Sequence, residues 1–130
     1  MPIFGAVIPF ADHCGIEEVD ISETRTLVRV RLAPHHLNHL GIVHGGLTCT
    51  LLDVALGTSA RTRAGGAVMT LDMQVAFVGA GRRTLVAEGR VVRAGRSVLF
   101  CEAEVRHEDD GSLVAKGSGI FMPAKAKRAA

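Results

Sequence analysis

The stretch from His36 to Asp53 holds the residues whose types and spacing are best suited to chemistry. His44, Gly45 and Gly46 come directly before an apolar segment that is long enough for a helix. The first N–H groups of a helix have no acceptor within the helix, and they carry the positive end of its dipole. Glycine lets a ligand oxygen approach the backbone closely, so this helix start can bind a carbonyl oxygen that becomes negative during a reaction. The structural alternative is that the two glycines only form a tight strand-to-helix turn.

Asp53 is the second residue of interest, because it interrupts a segment of apolar and small side chains. Burying a carboxylate is costly unless it has hydrogen-bond partners or a chemical task. Asp53 can therefore act on a substrate. It can also bond a neighbouring hydroxyl such as that of Thr50, or face solvent.

The spacing of Gly45 and Asp53 constrains how they can act together. On a helix that rises about 1.5 Å per residue they are about 12 Å apart. Reacting groups of one site must approach to about 3–3.5 Å. If both residues act on the same carbonyl, we expect them to meet across a two-fold axis, with one chain supplying the helix start and the other the carboxylate.

Several histidines also crowd this region, and His35 and His39 have a spacing that can hold a metal on a helix. The segment is short, begins at Pro34, and has no carboxylate or cysteine at the usual ligand spacing. We therefore predict no metal site.

The three cysteines, Cys14, Cys49 and Cys101, are odd in number, widely spaced and without a CxxC pair. This pattern favours a reducing, cytoplasmic location. Cys49 is interpreted as a buried structural thiol rather than a nucleophile.

Length and composition predict one domain of 130 residues with a core of Val, Leu and Ala, since 48% of the residues are hydrophobic and there is no Trp or Tyr. A formal net charge of +2 argues against a nucleic-acid partner, and no apolar run reaches the length of a membrane span. Residues 1–14 are interpreted as an N-terminal docking segment and residues 124–130 as a solvated basic tail.

The elements that must position these residues follow from periodicity. A helix is predicted from Gly45 to about Arg63, and Gly65 and Gly66 end it. One helical turn is predicted between Pro34 and Gly41. The predicted strands are Gly15–Asp20, Thr24–Leu32, Val68–Val78, Thr84–Arg93, Ser97–His107 and Leu113–Met122.

Alternation assigns faces to these strands. One face of the second strand, which is predicted to be half-buried, carries Thr26, Val28, Val30 and Leu32. One face of the third strand carries Leu71, Met73, Val75 and Phe77, and the inward face of the fifth carries Leu99, Cys101, Ala103 and Val105. Thr70, Asp72 and Gln74 are expected on the opposite face of the third strand. Short connections favour one antiparallel sheet with the helix on one face, an α+β architecture. One helix covers such a sheet poorly, so a second copy is expected to pair with it.

The pattern Asn38-x5-His44-Gly45-Gly46-x6-Asp53, with a long helix and a four-strand antiparallel run, resembles the hotdog-fold acyl-CoA thioesterases. Within them it is most similar to the phenylacetic-acid-pathway type of the thioesterase superfamily, from about Gly15 to Met122. The resemblance implies a single hotdog domain, in which one long central helix is wrapped by a curved antiparallel sheet of five or six strands. It further implies a cytoplasmic hydrolase that acts as a homodimer or as a homotetramer built from two dimers. No cofactor is implied, since coenzyme A is part of the substrate.

The resemblance also implies roles for individual residues. The Gly45 N–H and the Asn38 amide would polarise the thioester carbonyl. Asp53 of the partner subunit would activate a water or attack the carbonyl directly, and Thr70 would help to hold the water. His44 would support the loop that presents Gly45, or it would only cap the helix.

Coenzyme A carries phosphates, and the arginine fork suits them. The resemblance implies that the substrate contacts Gly46 and that the nucleotide is held by Arg82, Arg83, Arg93, Arg96 and Ser97. Ordinary solvated charge at strand ends is the alternative for each arginine. Two other functions stay open: a hotdog hydratase or dehydratase acting on acyl chains, and a non-catalytic acyl-CoA-binding protein.

Overall fold

The computed structural model describes residues 1–124. Its elements are helices α1 (Pro9–Cys14) and α2 (Gly45–Ala64), a short 3-10 helix (Pro34–His36), and strands β1 (Ile16–Ile21), β2 (Thr26–Arg31), β3 (Val68–Phe77), β4 (Thr84–Ala94), β5 (Leu99–His107) and β6 (Leu113–Pro123). The predicted long helix and six strands are all present, with bounds within two residues of those expected. Helix α1 was not predicted. Apart from Ala124, the predicted basic tail lies outside the described residues.

The six strands form one antiparallel sheet in the order β1-β2-β4-β5-β6-β3, and α2 packs on one face of it. This arrangement confirms the predicted α+β hotdog architecture. Strands β1 and β3 are the edges, because each pairs with only one neighbour within the described chain. No helix in the described range is both long and apolar enough to cross a bilayer.

Helix α2 is buried on most of its circumference because the curved sheet surrounds it. Leu47, Leu51 and Val54 are buried as the periodicity predicts, and Leu52 and Leu56 on another face are fully buried as well. A narrow stripe of small residues and Asp53 is the least covered side. The helix is therefore the core of the domain, and its stripe is where other groups can reach it.

Glycines in the sheet allow this close packing. A Cβ atom added at Gly89 would lie 2.6 Å from the carbonyl oxygen of Ala55, and one at Gly117 would lie 3.2 Å from a methyl group of Leu52. Any side chain at Gly89 would push the helix backbone away. Sequence patterning treats these glycines as weak strand positions, whereas the structure uses them as contact points.

The N-terminal segment lies against the end of α2 and the 3-10 helix. Ile3 is fully buried, and the Arg61 guanidinium donates hydrogen bonds to the carbonyl oxygens of Ile3 and Phe4. Burial lowers the pKa of the Arg61 guanidinium. The segment thus has a defined path along the domain.

His36 connects the 3-10 helix to α1. Its Nδ1 accepts the Ala33 N–H at 2.9 Å, so Nε2 carries the proton of the neutral ring and donates to the Cys14 carbonyl oxygen at 2.7 Å. Burial lowers the pKa of His36. The hydrogen bond to the Cys14 carbonyl opposes this shift in part, and the charge of the neighbouring His35 adds to it. The neutral imidazole is therefore the form that the fold requires.

We expect Gly89→Ala to lower the free energy of unfolding by about 1–3 kcal/mol, the usual range for overpacking a core. The physical reason is that the new methyl group meets backbone, which cannot move aside as a side chain can. Urea unfolding measures the effect. Gly66→Ala is the matched control, because a Cβ there meets nothing within 4 Å. Equal losses in both variants would contradict the close packing.

We expect the stability of the protein to fall between pH 7.5 and pH 5.5. The folded-state pKa of His36 lies below its unfolded-state pKa, so its contribution is complete above the unfolded pKa and is lost as the pH falls below it. Urea midpoints should fall less steeply with pH in His36→Gln than in the wild type. His39→Gln, at an exposed position in the next loop, should keep the wild-type slope. The same slope in all three proteins would contradict this role of His36.

Candidate active site

The start of α2 has one backbone donor left free for a ligand. His44 is the N-cap residue, and its Nδ1 accepts the Gly46 N–H at 2.8 Å, so the neutral ring carries its proton on Nε2. The Gly45 N–H has no acceptor within residues 1–124. Gly45 can therefore donate to a substrate oxygen, whereas the Gly46 N–H is already used by the cap.

Gly45 lies beside the ring of Phe77 at the end of β3. A Cβ atom at Gly45 would lie 3.4 Å from that ring, which is an ordinary van der Waals contact. Packing alone therefore does not require glycine at this position. Phe77 shares the helix-facing side of β3 with Met73 and Val75, as the alternation predicts, although it is 60% exposed.

Asn38 holds the loop that precedes α2. Its Oδ1 accepts the N–H groups of Leu40 at 2.9 Å and Ile42 at 3.3 Å, and its own N–H donates to the Ile42 carbonyl at 2.8 Å. Gly41 makes the turn possible with φ at 76°. With Oδ1 committed to the loop, the amide NH₂ of Asn38 is without an acceptor among the described residues and is fixed as a donor.

Asp53 is half-buried and has one side-chain partner. The Thr70 hydroxyl donates to Asp53 Oδ1 at 2.9 Å. Thr50, the neighbour considered from the sequence, instead donates to the Gly46 carbonyl at 2.9 Å. The structure therefore pairs Asp53 with a hydroxyl on β3 and leaves Oδ2 without a hydrogen bond in residues 1–124.

A β-bulge in β3 creates this contact. Thr70 pairs with Phe121 and Asp72 pairs with Ile120, so Leu71 is an extra residue without a partner opposite it. The extra residue lets Thr70 and Met73 face the helix together. Strict alternation predicted that Thr70 and Met73 lie on opposite faces, and this is wrong because the bulge puts both on the helix side, while Leu71 is 52% exposed. Bulges of this kind re-aim side chains near functional sites.

Gly45 and Asp53 of one chain remain apart, because α2 is continuous from Gly45 to Ala64. At about 1.5 Å per residue they are about 12 Å apart along its axis. Strand β3 contacts both places, through Phe77 at Gly45 and through Thr70 at Asp53. One chain therefore contains two half-sites, the helix start at Gly45 and the carboxylate of Asp53, and the same edge strand contacts both.

The predicted nucleotide-binding residues do not come together in one chain. Arg82 and Arg83 precede β4, whereas Arg93 lies near its end and Arg96 and Ser97 lie in the following turn. The eleven residues of β4 span about 33 Å. The two groups cannot hold one nucleotide within a chain, and the length of the predicted strand was already the signal for this.

Of these arginines, Arg83 is the one with a carboxylate partner among the described residues, and Arg82 is exposed without one. Arg83 forms an ion pair with Asp109 at 2.6 Å, which raises the pKa of its guanidinium. Arg93 and Arg96 are exposed and have no carboxylate partner within residues 1–124. The turn after β4 is therefore the more open position for an anion.

A histidine–serine–aspartate cluster at the β5–β6 turn was missed from the sequence. His107 Nε2 accepts the Arg82 N–H at 3.0 Å, so its Nδ1 carries the proton and donates to Ser112 Oγ at 2.7 Å. Ser112 in turn donates to Asp110 Oδ1 at 2.7 Å. The Ser112 hydroxyl donates its hydrogen bond to the carboxylate rather than to the imidazole. The cluster therefore stabilises the turn and does not activate a nucleophile.

The other reactive groups considered from the sequence have structural surroundings. Burial raises the pKa of the Cys49 thiol, which keeps it protonated and weakly nucleophilic. Both ring nitrogens of His36 are used by the backbone. Among residues 1–124, no three potential ligands come close enough together to hold a metal ion.

Comparisons with known proteins identify the family of this chain. The sequence profile of the thioesterase superfamily matches residues 40–114, which include the start of α2, Asp53 and Thr70. Acyl-coenzyme A thioesterase 13 from Mus musculus is 25% identical over 76% of this chain and 73% of its own length. Two solved structures are also similar. A conserved protein from Pseudomonas aeruginosa has a TM-score of 0.84 and 31% identity, covering 91% of this chain and 95% of that one.

The second solved structure is a Bacillus halodurans protein determined with CoA. It has a TM-score of 0.78 and 32% identity, covering 89% of this chain and 76% of that one. The matched profile spans more than half of the chain. The protein therefore belongs to the thioesterase superfamily and has its hotdog fold.

Proposed function

We propose that this protein hydrolyses an acyl-CoA thioester to a free acid and CoA, at a site completed by two copies of the chain. The observation that carries the proposal is the double contact of β3, with Phe77 on Gly45 and Thr70 on Asp53. Membership of the thioesterase superfamily and a relative named as an acyl-coenzyme A thioesterase support the reaction class.

The edge position of β3 supports the pairing. Its outer side has no strand partner within the described chain, and Phe77 and Val78 near its end are more than half exposed. An antiparallel pairing of two β3 strands that sets Thr70 opposite the partner's Phe77, with the bulged Leu71 left unpaired, would have its two-fold axis at Gln74. Such a pairing would bring Asp53 of one chain to the helix start of the other, and it would cover the exposed edge.

In the proposed site, the substrate carbonyl oxygen accepts hydrogen bonds from the Gly45 N–H and the Asn38 amide. These donors stabilise the negative charge that develops on this oxygen. The partner's Thr70 donates to Oδ1 of the partner's Asp53, as the two residues do within one chain, which leaves Oδ2 to take a proton from a water molecule. The water oxygen bonds to the carbonyl carbon, the C–S bond breaks, and the proton passes to the CoA thiolate. If Asp53 attacks directly, a mixed anhydride forms, and water then hydrolyses it to the same products.

The turn after β4 is the proposed position of the CoA phosphates. Arg93 and Arg96 provide uncompensated positive charge there, and Ser97 adds a hydroxyl. This turn is beyond the C-terminal end of α2. In the proposed dimer it is nearer to the partner's Gly45 than to Gly45 of the same chain, because the partner's Gly45 lies beside Asp53, which is closer to that end of the helix. Arg82 near the helix start is the secondary contact, and Arg83 is largely committed to Asp109. Assembly of two dimers and a cytoplasmic location stay predictions.

We expect Asp53→Asn to lower kcat for thiol release from acyl-CoA by about 10²–10⁴-fold, the usual contribution of a general base or its equivalent. A thiol reagent measures CoA release, and ultraviolet absorbance of an enoyl-CoA measures hydration. Full thiol release by this variant would contradict the assignment of Asp53. Hydration of enoyl-CoA by the wild-type protein without thiol release would favour the hydratase alternative.

We expect mixed dimers of two inactive variants to recover activity. Asp53→Asn and Asn38→Ala impair different half-sites, so a heterodimer has one site with both groups intact and one with neither. Random exchange makes half of the dimers mixed, which gives about a quarter of the wild-type activity. Native mass spectrometry confirms the exchange. Mixing Asp53→Asn with Asp53→Ala is the control and should recover nothing; if the first mixture also recovers nothing, the site lies within one chain.

We expect Arg96→Ala to raise KM for an acyl-CoA about five- to tenfold with little change in kcat, because it removes a charge-assisted contact to phosphate. The same acyl group on N-acetylcysteamine lacks the nucleotide and should be hydrolysed equally by both proteins. Arg31→Ala is the control, since Arg31 is an exposed arginine that lies 3.4 Å from Glu17. An equal rise in KM for both thioesters would place Arg96 away from the phosphates.

A further inference from the structure

The segment between β3 and β4 connects the start of α2 to the turn between β5 and β6. On one side, the Gly81 carbonyl accepts the Val43 N–H at 2.9 Å. On the other side, the N–H of the next residue, Arg82, donates to His107 Nε2 at 3.0 Å. Two successive residues of this segment therefore link the histidine–serine–aspartate cluster to the loop that precedes α2.

Val43 lies two residues before Gly45, and its side chain is buried. A Cβ atom added at Gly81 would lie 2.5 Å from Val43 Cγ1, so the Gly81 backbone packs directly on the Val43 side chain. His44, the residue between Val43 and Gly45, donates its N–H to the His36 carbonyl at 2.9 Å. The chain just before Gly45 is thus held at two points, and the direction of the Gly45 N–H depends on both.

We propose that His107 is a positioning residue for this donor: its ring holds residues 81–83, and these hold the loop that presents the Gly45 N–H. The inference rests on the function proposed above, because it takes the Gly45 N–H as the donor to the substrate carbonyl. His107 acts through the backbone of Gly81 and Val43, and it does not itself contact the substrate.

The cluster gives the His107 ring the tautomer that this task needs. Asp110 Oδ1 accepts both the N–H and the hydroxyl of Ser112, at 2.9 and 2.7 Å. The Ser112 oxygen is then oriented to accept the Nδ1–H of His107 at 2.7 Å. With its proton on Nδ1, the neutral ring presents Nε2 as an acceptor to the Arg82 N–H. A proton on Nε2 would instead set two donors against each other.

The backbone at Arg83 shows that this segment is held in place by its surroundings. Arg83 has φ at 66°, a left-handed conformation that residues other than glycine rarely adopt. Its carbonyl accepts the Leu32 N–H at 2.8 Å, and its guanidinium donates to Asp109 at 2.6 Å. Strained backbone persists where neighbouring contacts determine it, and it is found near functional sites. The strain at Arg83 therefore favours a positioning task for this segment.

Two substitutions of His107 separate the contacts of its two ring nitrogens. The amide of His107→Gln reaches about as far as Nε2, so its oxygen can still accept the Arg82 N–H. The amide of His107→Asn reaches about as far as Nδ1, so it can keep the contact with Ser112 but loses the one with Arg82. The two variants are therefore matched controls for each other.

We expect His107→Asn to lower kcat for CoA release about tenfold and to change KM less than about twofold, because a misaligned donor loses transition-state stabilisation. His107→Gln should keep kcat within about twofold of the wild type, since it keeps the acceptor. Urea unfolding of both variants separates a loss of alignment from a loss of folded protein. Equal kcat values in the two variants would overturn the proposal.

The alignment can also be measured without turnover. NMR of isotope-labelled wild-type protein should show the His107 proton on Nδ1 and none on Nε2, which needs no variant. Hydrogen exchange of the Val43 amide should be about fivefold faster in His107→Asn than in His107→Gln, because its acceptor Gly81 is less well held. A proton on Nε2 in the wild type, or equal exchange in the two variants, would overturn the proposal.

These measurements separate the inference from the function on which it rests. If Val43 exchange differs between the variants but the wild type hydrolyses no acyl-CoA, the positioning of the loop by His107 stands and the hydrolase function fails. If the wild type hydrolyses acyl-CoA but neither kcat nor exchange distinguishes the variants, the function stands and the role of His107 fails.

Discussion

The packing of α2 inside the curved sheet is the constraint on which the rest of this structure depends. The helix can approach the strands closely because Gly89 and Gly117 present no side chains to it. That close approach buries most of the helix and leaves only its stripe of small residues partly open. The residues that can bind or act on a substrate are therefore limited to this stripe and to the helix start.

The edge strand β3 connects these groups. Phe77 at one end of the strand lies beside Gly45, and the Thr70 hydroxyl at the other end donates a hydrogen bond to Asp53. A straight helix keeps Gly45 and Asp53 apart, so no rearrangement of side chains within one chain unites them. The outer side of the same strand is unpaired in one chain. Association of two copies through it would cover the open edge and would also bring the two parts of the divided site together.

Hydrogen bonds around the helix start occupy some of its polar groups and leave two donors available. His44 uses the Gly46 N–H, and the loop uses Oδ1 of Asn38, which leaves the Gly45 N–H and the Asn38 amide for a ligand. Preorganised donors of this kind need no reordering when charge develops on a substrate oxygen.

The sequence by itself determined the order of the elements, the burial of faces in β2 and β5, and the separation of Gly45 from Asp53 along one helix. These features depend on local periodicity and on helix geometry, which a single chain displays directly. Only the tertiary structure decided that β3 is an edge and that a bulge at Leu71 turns Thr70 toward Asp53. Strand order and bulges arise from pairing between residues far apart in the chain, so no local pattern specifies them.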